Sequence, residues 1–135
     1  MNHDGYHPEI LATAWARVVS HETASRIVIG DFLDDWRRFM DTTIRTHLIA
    51  LPIPDSSDAE LHRWSAFVAA LVEYLTVGAS MTPPAWVFDS RWTLDEPWFI
   101  NPYWKLRAWQ LVVTPPPWKR RRIFGGDETT MIGRV

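Results

Sequence analysis

The sequence contains no cysteine in its 135 residues. That absence excludes a disulfide scaffold, a cysteine-ligated zinc site and a thiol nucleophile. No apolar run approaches the roughly 20 residues needed to span a bilayer. Met1 to Gly5 is polar and carries no signal-peptide pattern. Glycine-rich phosphate loops and a Gly-x-Ser-x-Gly elbow are also missing. What the chain does have is apolar and aromatic: 47% hydrophobic residues, 9 Trp and 10 Pro, too much for a disordered protein. A chain of this size buries roughly two-thirds of its unfolded surface, so its core needs no staple. A single domain over residues 1–135 is expected, cytoplasmic and away from membranes.

The formal charge is −2, but it is unevenly spread. From Arg91 onward the net charge is +4, and before Arg91 it is −6. A general nucleic-acid binder spreads positive charge over one face; this chain instead offers one acidic and one basic surface to partners.

The first two-thirds read as helices. After Pro8, Leu11, Ala14, Trp15 and Val18 recur at three- and four-residue steps. A second helix starts near Thr23 or Ser25, with Ile29, Phe32, Leu33, Trp36 and Met40 as its apolar stripe. Residues 42–50 are β-branched yet join two helical patterns, and read as a frayed continuation ending before Pro52. Ser57 and Glu60 form a capping box for a third helix, whose stripe is Leu61, Trp64, Val68, Leu71 and Leu75. Ala66, Ala69 and Ala70 let another element approach closely, and Gly78 marks the stop. The expected fold is all-α: a three- or four-helix bundle over about 8–78. A Pro/Trp-rich, largely irregular arm follows over about 79–126, then a mobile tail over 127–135.

In the arm, Pro83-Pro84 and Glu96-Pro97 break the chain into short pieces. Tyr103, Leu106, Trp109 and Val113 make one short amphipathic helix. Trp15, Trp36 and Trp64 fall on helical stripes and belong to the core. Trp86, Trp92, Trp98, Trp104 and Trp118 lie in irregular chain, where some seal the arm onto the helices and others stay exposed as interface anchors.

Candidate chemistry is sparse. His3, Asp4 and His7 are suitable donors for a transition metal, but their setting is an ordinary N-terminal segment. Asp31, Asp34, Asp35 and Asp41 could hold a divalent cation, yet Arg37 and Arg38 sit close enough to neutralise them. Arg17/His21 and Arg45/His47 are too closely spaced for the Arg–His site of a helical ribonuclease. His62 has no acidic or nucleophilic partner at a helpful step. Nothing assembles nucleophile, base and orienting group, so no enzyme activity, cofactor or metal is expected. Lys119-Arg120-Arg121-Arg122, flanked by Trp118 and Phe124, is the strongest charge feature. It can grip phosphates beside a stacking aromatic, meet an acidic partner protein, or pair with Asp127, Glu128 and the acidic helical half.

Four stretches, in order, resemble small helical actinobacterial proteins that act as antitoxin-like partners of nucleotidyltransferase-type toxins. They are Gly30-Asp31-Phe32-Leu33-Asp34, Pro83-Pro84-Ala85-Trp86, Leu94 to Phe99, and Pro116 to Phe124. The resemblance spans roughly residues 25–126. Relatives carry a helix-turn-helix in front; none is read here, so operator binding is not expected. Gly125-Gly126 also departs from the pattern, which continues a short strand there. The resemblance implies a non-catalytic partner of a cognate protein. Trp98, Trp118 and Phe124 are the expected anchors, and Lys119, Arg120, Arg121 and Arg122 the expected charge contacts. A nucleic-acid-binding regulator using the same basic run is the alternative, and a homodimer stays open.

Overall fold

The structure, a computed structural model, describes residues 7–132. It is predominantly helical, with 61% helix, seven helices and one two-strand parallel sheet among the described residues.

Helix α1 (Leu11–Val19) buries Leu11, Ala14, Trp15 and Val18, the face that periodicity picks out. His21 ends it in the left-handed region at φ 67°. There the Glu22 and His21 amides reach back to the Arg17 and Val18 carbonyls, which satisfies the last turn. Helix α2 (Ser25–Arg38) starts at Ser25, with no side-chain cap at Ala24. It buries Val28, Ile29, Phe32, Leu33 and Trp36. Met40 does not extend that stripe: Phe39 adopts extended backbone and Met40 is exposed.

Residues 42–50 are not a frayed continuation. Asp41 accepts from the Thr43 and Ile44 amides and starts a new helix, α3 (Thr42–Ile49), so a cap outweighs the β-branched composition. Arg45 on α3 donates to the Trp36 carbonyl through Nε and Nη2, at 3.1 and 2.6 Å, and closes the end of α2.

Helix α4 (Ala59–Gly78) is the central element, touching α2 and, in the later chain, residues 85–92 and 116–119. Its cap is Asp58, whose carboxylate accepts from Leu61 N at 3.0 Å, and not Ser57 in a capping box. An anionic cap also complements the positive helix start. The stop is made by Ser80 at φ 58°, two residues past Gly78. Ala66, Ala69 and Ala70 are fully buried, and their small side chains let the arm approach.

The arm is folded against α4 and shares its core. Two 3-10 turns, Ala85–Phe88 and Ser90–Trp92, lie on α4. The Trp86 indole donates to Ile49 O at 2.8 Å and the Trp92 indole to Trp86 O at 3.1 Å. Strand β1 (Trp98–Phe99) pairs in parallel with β2 (Ile123–Phe124), Trp98 opposite Ile123. Between them run a 3-10 turn (Trp104–Leu106), helix α5 (Arg107–Val113) and helix α6 (Pro116–Lys119). Residues 128–132, expected within a mobile tail, form helix α7 (Glu128–Ile132) with Met131 buried. Gly125 makes room for Met131: a Cβ there would collide with its sulfur. Val87, Trp92, Leu94, Trp118, Ile123 and Met131 therefore join one core with the helices. No helix among the described residues is long and apolar enough to cross a membrane.

Candidate interaction surface

The basic run lies where α6 turns into β2, and its members face different ways. Pro115 to Pro117 start α6, and Trp118 turns inward to 0% exposure. Its ring packs 5.5 Å from Phe67 and 5.3 Å from Tyr74. Arg121 is 5% exposed. It donates to Glu73 Oε1 at 2.7 Å, to Pro117 O at 2.6 Å and to Val87 O at 2.6 Å. Glu73, buried in the C-terminal part of α4, also accepts from Arg120. Burial pushes the Arg121 guanidinium below its ordinary range, and Glu73 opposes that shift. Arg122 adopts φ 65° and donates to Asp95 O at 2.6 Å, and Lys119 Nζ donates to Val112 O at 2.9 Å.

The expectation of an exposed clasp is thus corrected at two positions. Trp118 and Arg121 are core groups, because apolar α4 carries an acid that needs a buried cation. Arg120, Lys119 and Arg122 keep solvent access but each has an internal partner. Trp98 is half-buried, edge-on to Trp64 at 4.9 Å under the Arg63 guanidinium. Phe124 is half-buried and stacks on Phe99 at 5.2 Å.

The exposed apolar surface lies elsewhere in the arm. In α5 only Gln110 is buried. Tyr103, Trp104, Trp109, Leu111 and Val112 are all exposed, Trp104 by 68% and Val112 by 74%. Polar bonds, not packing, hold α5 in place. The Gln110 side chain donates to Asn101 O at 3.1 Å and accepts from Asn101 N at 3.2 Å. Thr114 Oγ donates to Gln110 O at 2.6 Å and accepts from Gly125 N at 3.0 Å. A groove of about 850 Å³ opens beside the helix, walled by Ile27, Trp64, Phe67, Ile100, Trp109 and Met131. From Pro97 to Gly126 the chain carries Lys105, Arg107 and the basic run, and no Asp or Glu. Along its own stretch of chain the exposed face is apolar and flanked by cations, and Arg26 and Asp31 of α2 line the groove beside it.

His62 does have an acidic partner: Asp55 holds its Nδ1 at 2.9 and 3.0 Å, and Trp92 stacks on the ring at 6.0 Å. The seven-residue step hides this pair in the sequence, because it joins α4 to the loop before it. A carboxylate there fixes the imidazole tautomer, but no hydroxyl is bonded to His62 among the described residues. The His3 and Asp4 donors lie outside the described residues. Among the described ones no group of three His, Asp or Glu can hold a metal ion, so Asp31, Asp34, Asp35 and Asp41 form no cage. No protein-family model, curated protein or solved structure matches the chain.

Proposed function

We propose that this protein is a non-enzymatic, cytoplasmic protein-binding module, an antitoxin-like partner that neutralises a cognate protein. In this reading the long helices are a bundle that serves as a platform, and the arm presents residues 103–112 to the partner. One observation carries it: a seven-residue helix turns Trp109, Leu111 and Val112 outward while a buried glutamine anchors it. Exposed clusters of large apolar side chains mark interaction sites, and aromatic residues are the usual energetic anchors. The lack of any carboxylate from Pro97 to Gly126 selects a partner surface that is apolar with acidic groups around it, because complementary charge speeds encounter and fixes register. The resemblance names a nucleotidyltransferase-type toxin as the class of partner.

The alternative, a nucleic-acid-binding regulator, draws on Lys119 to Arg122. Those four side chains face different ways and bond to Val112 O, Glu73 and Asp95 O, so they present no continuous basic face to a phosphate backbone.

Co-expression with the protein encoded beside it tests the proposal. The wild-type chain co-purifies with that protein, and Trp104→Ala/Val112→Asp reduces affinity about 100-fold, as two anchors of about 2 kcal/mol or less each would. Unchanged co-purification by the double variant refutes the proposed face. Binding to RNA or DNA that falls steeply with salt would favour the alternative.

A further inference from the structure

A second groove, about 770 Å³, opens where the ends of α2 and α4 meet the start of α6. It shares no lining residue with the groove beside α5. Its walls are apolar, with Met40, Leu75, Val77, Met81 and Pro116 among them. Three charged side chains line it: Arg45, Glu73 and Arg120. Glu73 is shared between Arg120 and Arg121. Arg45, 9% exposed, makes no ion pair among the described residues.

Arginine is almost never buried unpaired, because an isolated desolvated charge is strongly unfavourable. Arg45 Nε and Nη2 cap the Trp36 carbonyl, Nη2 also reaches Met40 Sδ at 3.4 Å, and the guanidinium lies 4.5 Å over the Trp36 ring. Inside the protein the positive charge meets only the Trp36 ring and carbonyl and no carboxylate, and Nη1 makes no hydrogen bond among the described residues. Counting Arg121 behind Glu73 and the Glu128 carboxylate beside Tyr74, three guanidiniums stand against two carboxylates, so the groove keeps a positive balance. Its apolar walls weaken solvent screening of that charge.

We propose that this groove binds a small organic anion, a carboxylate or sulfonate head on an apolar body. Arg45 Nη1 and the exposed Arg120 receive the head, and Leu75, Val77 and Met81 receive the body. The site is independent of the partner face on α5.

Two naphthalene dyes of matched ring system test it, anionic 1-anilinonaphthalene-8-sulfonate and neutral N-phenyl-1-naphthylamine. The sulfonate binds the wild-type chain and is displaced by decanoate. Arg45→Gln lowers its affinity roughly tenfold or more, with the neutral dye little changed. Val77→Asp, at an exposed wall position that receives the apolar body, weakens both dyes, so the test survives any loosening of α2 by the Arg45 change. Val112→Asp, on the α5 face, leaves both dyes as they were. The proposal is overturned if the wild-type chain fails to bind the sulfonate. Indifference to both groove variants, or loss of binding on Val112→Asp, overturns it equally.

Discussion

Residues 103–113 and 115–124 are neighbouring stretches of one arm, rich in Trp and cations, and they are folded in opposite senses. The second is the more highly charged, yet it places Trp118, Arg121 and Ile123 inside. The first has a helical apolar stripe and turns Trp109, Leu111 and Val112 to solvent. The difference lies in what each stretch finds across from it. Residues 115–124 meet α4, where Glu73 supplies a buried counter-charge and Phe67 and Tyr74 supply aromatic faces. Residues 103–113 meet the Asn101 backbone through Gln110, the Thr114 hydroxyl, the Lys119 ammonium and, through Arg107, the Phe99 ring, and no buried counter-charge. Amphipathicity sets that a helix has a preferred face; the partner available decides whether that face goes in.

The sharpest way to break this comparison is to remove the counter-charge. Glu73→Ala strands Arg121 in the core and is expected to destabilise by about 3–5 kcal/mol, read as a lowered urea midpoint. Replacing both, as Glu73→Leu/Arg121→Met, is expected to recover most of that loss. If the double variant is no more stable than Glu73→Ala alone, the pair is not what draws this stretch inward. Of similar size, Trp118→Ala is expected to lose about 3–5 kcal/mol. Trp118→Phe is expected to lose clearly less, because the Trp118 indole N–H is buried without a partner and its removal relieves a desolvation cost. Across the comparison, Trp104→Ala and Val112→Asp are expected to stay within about 0.5 kcal/mol of the wild-type stability while partner affinity falls. A large loss of stability would mean that the face is packed.

The smallest effect is at alkaline pH. Burial, reinforced by the Glu128 carboxylate, pushes the Tyr74 phenol up to about 12 from 10.0. Its neutral form is the one the folded state favours. The stability it contributes is therefore complete below pH 10 and is lost as pH rises toward 12. Ultraviolet titration should show Tyr74 ionising late, and Tyr74→Phe should flatten the alkaline end of the stability profile. An ordinary phenol transition for Tyr74 would refute the burial of this phenol beside Glu128.

Much of the helical layer is legible in the sequence because its signals are local. The stripes of α1, α2 and α4 follow a 3.6-residue period that any one segment displays alone. Boundaries are less so: Asp58 and Ser57 are both competent caps, and only the backbone geometry selects Asp58. Asp41 capping a β-branched segment is visible only if the cap is weighed above propensity. The arm is the opposite case, since its structure comes from contacts far apart in the chain. Arg121 and Glu73 are 48 residues apart, and Trp86 and Ile49 are 37 apart. One signal was present: an acid on the otherwise apolar stretch from Ser65 to Val72 and on to Thr76 asks for a buried cation, and the basic run is the nearest rich source. The exposed face of α5 has no such signal, because the same stripe on a longer helix would be core.

The central claim is that the arm shows its 103–112 face and hides its basic-run tryptophan. Fluorotryptophan NMR with a soluble paramagnetic agent tests it directly, each resonance assigned by a Trp→Phe variant. Strong attenuation of the Trp104 and Trp109 signals with Trp118 untouched is the predicted result. Attenuation of Trp118 with Trp104 and Trp109 protected would contradict the account.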